Sequence, residues 1–143
     1  MRASLVLVSL VLAISSMTGC VVYANGGGGE TGDRAMRAEG WTKLGERWVQ
    51  GNTDRDVIEV GKSEGKFRKL ILVVEHSALE MFNMDVEFLD GTHFSPETRF
   101  KFEEGVKSRE IDLPGDARGI RRVSFKYGNV PGGGKSQIEV WGR

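Results

Sequence analysis

The chain has 143 residues, enough for one domain, and an ordinary globular composition with 39% hydrophobic and 28% charged residues. Its 20 basic residues equal its 20 acidic residues, so the formal net charge is zero. Binding to DNA rewards a strongly basic surface through counterion release, so this charge balance argues against a nucleic-acid partner.

The first 24 residues, 1–24, are predicted to be a secretory signal peptide. They carry one positive charge at Arg2, then an apolar run from Leu5 to Ile14, then small and polar residues. The apolar run is shorter than the ~20 residues that a membrane-spanning helix needs. We therefore predict export to the periplasm, the outer membrane or the cell surface of a bacterium.

Two cleavage sites compete at the end of this signal peptide. Cys20 is the single cysteine and directly follows Gly19, in the pattern of a bacterial lipobox. This pattern predicts cleavage before Cys20 and acylation of its thiol, which would anchor the protein to a membrane. Ordinary cleavage after Ala24 is the alternative, because Val22 and Ala24 suit the recognition positions of signal peptidase. We favour the lipobox.

Residues 25–40 are predicted to form a flexible linker. The segment contains four consecutive glycines, Gly26 to Gly29, with alternating charges and almost no large apolar side chain. Such a composition cannot bury enough apolar surface to offset the entropy lost on ordering. We expect the linker to tether the domain of residues 41–143 to its anchor.

From Trp41 onward, short segments of alternating apolar and polar residues predict an all-β domain. The predicted strands are Leu44–Val49, Asp56–Val60, Phe67–His76, Met84–Leu89, Thr98–Phe102, Ser108–Leu113, Arg121–Tyr127 and Gln137–Trp141. About eight short antiparallel strands in a domain of this size predict an antiparallel β-sandwich, similar to a jelly roll.

The run from Leu70 to Val74 is apolar at every position. It predicts a central strand whose two faces are both covered, either within the domain or by a second copy of the chain. Further along, Asp90 and Gly91 predict a tight turn after the fourth strand.

The segment YGNVPGGGKSQ, from Tyr127 to Gln137, has the glycines, lysine and serine of a nucleotide-binding P-loop. The P-loop spacing is not met, because Gly128 lies one position too far from Lys135. The residues after Ser136 alternate as in a strand, whereas a P-loop leads into a helix that holds the phosphates. We predict a hairpin loop between the last two strands and no nucleotide binding.

No group of residues has the spacing of a catalytic or metal site. His76 and His93 are the only histidines, and neither has a recognisable triad or zinc partner in the sequence. Asn52, Asp54 and Asp56 alternate as calcium ligands do, but the glycine and glutamate of a calcium loop are missing, so a polar turn is expected. We predict a protein that is not an enzyme and uses no cofactor or metal.

The three tryptophans are a first candidate for ligand binding. Trp48 and Trp141, together with Trp41, could form a flat platform on which a sugar ring stacks. The alternative is that the first and last strands meet and these rings close the edge of the core.

Six basic residues near the third and seventh predicted strands are a second candidate. They are Lys66, Arg68, Lys69, Arg118, Arg121 and Arg122. If these strands were neighbours, Arg68, Arg121 and Arg122 in particular could form a site for an acidic glycan or a lipid headgroup. The alternative is that all six are solvated strand ends.

Several of the predicted strands resemble those of a known family. The matching features are Leu44-Gly45, "NTDRD", "FRKLIL", "MDVEF" and "IRRVSFKYGN". Over Leu44 to Trp141 the chain resembles the YaaI-type family of small secreted bacterial proteins of unknown function. The resemblance implies an exported β-sandwich and, because its motifs are packing patterns, it carries over no active-site residue.

These observations predict a non-enzymatic, exported binding or envelope-associated module that is anchored through Cys20. Binding of a carbohydrate or an anionic envelope polymer is the alternative. An enzyme is the third hypothesis, and it is disfavoured because Glu103 and Glu104 lie in a predicted turn rather than facing each other across a cleft.

Overall fold

Two antiparallel β-sheets packed face to face, with one short helix, make up the computed structural model, which describes residues 30–96 and 99–143. The elements are α1 (Glu30–Ala38), β1 (Thr42–Gln50), β2 (Asp54–Glu59), β3 (Lys69–Glu75), β4 (Leu79–Phe88), β5 (His93–Phe94), β6 (Phe100–Phe102), β7 (Val106–Lys107), β8 (Ile111–Asp112), β9 (Ile120–Gly128) and β10 (Lys135–Gly142). The predicted signal peptide, Cys20 and Thr98 lie outside the described residues.

The order of the strands is nested. Sheet A runs β1-β10-β3, and β7 and β8 both pair with the far side of β3. Sheet B runs β2-β9-β4, and β5 and β6 both pair with the far side of β4. The first strand thus pairs with the last and the second with the next to last, as in a jelly roll. The predicted antiparallel β-sandwich is confirmed, with ten strands rather than eight.

The main core lies between the two sheets and is filled by alternate residues of their strands. Leu70, Leu72 and Val74 of β3 face Phe125 and Tyr127 of β9 within one continuous apolar cluster. All five side chains are at most 1% exposed. Each large apolar side chain buried in this way contributes roughly 1.5–3 kcal/mol to the free energy of folding.

Strand β4 begins earlier than predicted, at Leu79 instead of Met84. Its pairing with β9 shifts register between Met81 and Asn83, which places a β-bulge at Phe82. The buried positions therefore change spacing from two residues to three at this point. Because the alternation of apolar residues breaks at this bulge, the sequence pattern does not predict the first half of β4.

Of the predicted strand Ser108–Leu113, only Ile111–Asp112 forms a strand, β8, and a second short strand, β7, lies just before the predicted range at Val106–Lys107. Between them, the Leu72 N–H donates to the hydroxyl of Ser108 (3.0 Å) rather than to a backbone carbonyl. The Ser108 side chain thus replaces one backbone hydrogen bond of the sheet, and the chain leaves the edge of sheet A before returning to it.

The predicted linker, residues 25–40, contains helix α1 from Glu30 onward. Met36 packs against Trp41, Ile71, Val73 and Trp141 in a second apolar cluster, on the outer face of sheet A. Met36 is the only residue of the helix in this cluster, and the sheet supplies most of the apolar surface that it packs against. Strand β3 is therefore covered on both faces within the domain, as one of the two predicted arrangements requires.

The glycine-rich loop after β9 is not the predicted hairpin. Strand β9 belongs to sheet B and β10 to sheet A, so the two do not pair and the loop crosses from one sheet to the other. Within it, Asn129 and Gly132 take left-handed conformations, with φ of 56° and 64°. A crossing of about 10 Å between sheets needs a longer connection than a hairpin does.

The predicted turn at Asp90-Gly91 is confirmed, since the Gly91 N–H donates to the Phe88 carbonyl (3.0 Å).

Candidate functional site

Trp48 lies on the outer face of sheet A, near the end of β1. Its side chain is 51% exposed, whereas the next residue, Val49, points into the core and is 1% exposed. Among the large hydrophobic residues in the described ranges, only Trp48 and Val106 are exposed. An exposed indole is unfavourable in water unless it has a partner, so Trp48 is the first position to consider as a binding residue.

The imidazole of His76 stacks on Trp48. Their ring centroids are 4.7 Å apart and the planes are inclined by 29°. His76 follows the end of β3 and has a φ of 70°, a left-handed conformation that is uncommon outside glycine. This backbone strain is of the kind that clusters at binding sites.

Ser136 holds the backbone on both sides of His76. Its hydroxyl is shared between the carbonyls of Glu75 (3.1 Å) and Ser77 (2.9 Å), the two neighbours of His76. Ser136 itself is fully buried on β10. The serine of the P-loop-like segment therefore positions the histidine that stacks on Trp48.

An open pocket of about 370 Å³ adjoins this stack, within the size range of small-ligand sites. It is lined by Trp48, Val49, Gln50 and Lys135. Lys135 pairs in register with Gln50 across β1 and β10 and forms no ion pair within the described residues. We call Trp48, His76, Gln50 and Lys135 the tryptophan platform.

The tryptophan platform combines three chemistries. The indole face of Trp48 offers a flat apolar surface, the Gln50 amide offers both a donor and acceptors, and the Lys135 ammonium offers a charge. The apolar face of a sugar ring can stack on the indole while its hydroxyl groups reach the amide. An acidic sugar would add an attraction to the ammonium group.

The structure separates the three tryptophans. Trp41 is 3% exposed and Trp141 is fully buried, both in the cluster beneath α1. The Trp141 indole N–H donates to the carboxylate of Glu139 (2.9 Å), and Glu139 also pairs with Lys43 (2.6 Å). Trp141, predicted as a binding residue, thus packs in the interior, and Trp48 alone presents its ring to a ligand.

The predicted basic patch required the third and seventh predicted strands to be neighbours. These strands are β3 and β9, and they lie in different sheets, β3 in sheet A and β9 in sheet B. Strands β3 and β9 are therefore not neighbours, which was the condition for a single patch of Arg68, Arg121 and Arg122. Arg121 and Arg122 share the carboxylate of Glu87, at 3.4 and 2.5 Å. The hydrogen bond from Arg122 keeps the pKa of Glu87 below its ordinary value.

Three of the other predicted basic residues also meet carboxylates, whereas Lys66 forms no ion pair within the described residues. Arg68 lies 3.8 Å from Asp116, Arg118 lies 2.7 Å from Asp90, and Lys69 pairs with Glu110. Exposed pairs of this kind contribute little to stability, at most about 1 kcal/mol. They do compensate the positive charge, so they weaken this surface as a site for anions.

A histidine and an aspartate meet on the outer face of sheet B. The Nδ1 of His93 lies 2.7 Å from the carboxylate of Asp85, which also accepts from the Ser95 hydroxyl (2.7 Å). Burial raises the pKa of Asp85, but these hydrogen bonds outweigh it and lower the pKa overall. A catalytic triad needs the serine next to the histidine, and here the serine contacts the aspartate instead.

Sequence reasoning missed this pair and the partner of Trp48. Asp85 and His93 meet only because β4 and β5 are paired, and Trp48 and His76 belong to strands that are separated by β10. In the described ranges, no three His, Cys, Asp or Glu side chains converge to hold a metal ion. No helix in those ranges has the length and apolar character to cross a membrane.

Residues 5–142 match a family model that is described as a domain of unknown function (DUF2541). No curated protein matches the chain. No solved structure matches it either.

Proposed function

Because the chain belongs to the DUF2541 family, whose function is unknown, its role has to be argued from its own surfaces, and we propose that it is a non-enzymatic binding module of the bacterial envelope. The signal peptide predicted over residues 1–24 and the resemblance to YaaI-type secreted proteins support an exported location. The lipobox pattern before Cys20 supports a lipid anchor.

The proposed ligand of this module is a carbohydrate that binds at the tryptophan platform. The observation that carries this proposal is the exposed indole of Trp48, stacked at 4.7 Å on His76 and open to a pocket. Jelly rolls also occur among lectin domains, although a fold alone does not define a function.

An anionic envelope polymer bound through Arg68, Arg121 and Arg122 is less well supported. Each of these cations already has a carboxylate partner. A polymer would have to displace those carboxylates.

The test is to measure binding of envelope polysaccharides and their fragments to the mature protein and to a Trp48→Ala variant. Isothermal titration calorimetry can follow it in every variant, because it does not depend on Trp48, which is the one exposed tryptophan and is absent from the variant. We expect Trp48→Ala to weaken binding about tenfold or more, since a stacked ring contributes on the order of 1–2 kcal/mol. Trp48→Phe should retain part of the affinity.

Lys126→Ala is the control, because Lys126 is exposed on β9 of sheet B and does not line the pocket beside Trp48. It should leave sugar binding unchanged. Absence of binding to any polysaccharide, or equal affinities for wild type and Trp48→Ala, would refute the carbohydrate proposal.

A further inference from the structure

A groove of about 350 Å³ lies where β6 of sheet B and β7 of sheet A follow each other in the chain. Among the described residues that line it, four are cations, Arg99, Lys101, Lys107 and Arg109, and none is acidic. Because the whole chain has equal numbers of acids and bases, four cations among these lining residues are a local excess of positive charge. We call these four residues the basic groove.

The four cations form two rows. Arg99 and Lys101 are two residues apart at β6, and Lys107 and Arg109 are two residues apart at β7. Residues i and i+2 of an extended chain lie on one side, about 7 Å apart. One row therefore comes from each sheet, and both face the same groove.

The charge of the basic groove is only partly compensated. Arg99 pairs with Glu80 (2.6 Å), and Lys107 is 3.8 Å from Glu39. Lys101 and Arg109 are exposed and form no ion pair within 4 Å with any residue of the described ranges, although Lys101 lies opposite Glu80 in the pairing of β6 with β4. Most cations near β3 and β9 have a carboxylate partner, and Lys66 and Lys126 are the exceptions within the described ranges. The basic groove differs because its four cations line one cavity.

Apolar side chains also line the groove. Phe100 is partly buried against the main core, and Val106 is 41% exposed. Low-dielectric walls beside the cations strengthen the field that an anion experiences in the groove. A ligand with anionic groups on an otherwise uncharged backbone fits this pattern.

We propose that the basic groove binds a linear polyanion built on sugar or polyol units, with phosphate-ester or carboxylate charges. This ligand class deepens the proposed binding function but uses a surface that does not include Trp48. A nucleic-acid duplex is disfavoured, because Glu103 and Glu104 are exposed in the turn that joins the two rows and would repel a broad polyanion.

The experiment measures binding of two probes, inorganic polyphosphate and oligogalacturonate, to the mature protein at low salt. A Lys101→Gln/Arg109→Gln double variant should lose affinity about tenfold or more. Both side chains are exposed, so the unfolding midpoint should not change. Binding of one probe but not the other identifies phosphate or carboxylate as the recognised group, and either result supports the proposal.

The matched control is Lys66→Gln/Lys126→Gln, which removes the same charge at exposed positions outside the groove. It should change affinity by less than about twofold. Trp48→Ala should also leave polyanion binding intact, so failure of the carbohydrate proposal and failure of this one are distinguishable. Equal losses in the two double variants, no binding of either probe, or tighter binding of an oligonucleotide of equal charge would each overturn the proposal.

Discussion

At the scale of single residues, the tryptophan platform depends on partners that come from three strands. Trp48 is recognisable in the sequence as an aromatic candidate, but its partner His76 follows another strand and takes a left-handed conformation. Ser136 stabilises that conformation from a third strand. A residue pattern predicts the exposed ring, and only pairing between strands supplies the rest of the site.

Asp90 gives a prediction at this scale about stability in acid. The side-chain and backbone groups of Thr92 donate to its carboxylate, and Arg118 adds a further hydrogen bond. These contacts lower the pKa of Asp90 from 3.8 to about 2. Since the folded state holds the proton less tightly, the contribution of Asp90 is complete above the ordinary pKa and is lost as pH falls towards about 2.

The measurement compares the melting temperatures of wild type and Asp90→Asn between pH 7 and pH 2. We expect the wild type to be more stable at pH 7 and the difference to shrink as pH falls from about 4 to about 2. Asp116→Asn is the control, because that carboxylate is 99% exposed. A difference between wild type and Asp90→Asn that persists unchanged down to pH 2 would contradict the assignment.

At the scale of elements, the helix α1 replaces most of a predicted linker. It is fixed to the outer face of sheet A by Met36 and by Lys43, which contacts Asp33 of the helix (3.5 Å) as well as Glu139 (2.6 Å). Burial lowers the pKa of Lys43, but its hydrogen bonds to Glu139 and Glu46 raise it overall. The composition of residues 25–40 does not reveal that α1 is ordered, because the surface that α1 buries belongs largely to β3 and β10.

Met36→Ala tests the role of this helix. Met36 is 2% exposed, and truncating a buried methionine costs about 2–4 kcal/mol through lost burial and the cavity that remains. We expect a lower midpoint in urea unfolding and faster amide exchange in α1. Arg34→Ala, on the exposed side of the same helix, should change stability by less than about 0.5 kcal/mol. Equal stabilities for wild type and Met36→Ala would show that α1 is not bound to the sheet.

At the scale of the whole molecule, export and anchoring are still predictions. We expect the wild-type protein to fractionate with membranes of a bacterial host and Cys20→Ser to appear in the soluble fraction, because the thiol carries the lipid. Met17→Leu, which brings the cleavage region closer to a usual lipobox, should keep the protein in the membrane fraction. If mass spectrometry shows that the mature chain begins at Asn25, Cys20 has been removed with the signal peptide and the anchor is excluded.

The arrangement of charge is also a property of the whole molecule. Arg68, Arg121 and Arg122 are conspicuous in the sequence, but sheet pairing places carboxylates beside them. Lys101 and Arg109 are no more conspicuous, and the fold leaves them without an ion pair in the described ranges. The sequence does contain a signal for the basic groove. Arg99 and Lys101 are two residues apart, Lys107 and Arg109 are two residues apart, and the two pairs lie on consecutive strands.

The sequence by itself determined the all-β class, the covered central strand, the turn at Asp90-Gly91 and the strand character of the residues after Ser136. These features depend on the alternation of residues that are close in the chain. Tertiary structure decided the length of β4, the folding of residues 30–38 into α1 and the crossing of the glycine-rich loop from one sheet to the other. It also decided the partners of Trp48 and of each cation. Those depend on contacts between strands that are distant in the chain, and local patterns do not record which strands become neighbours.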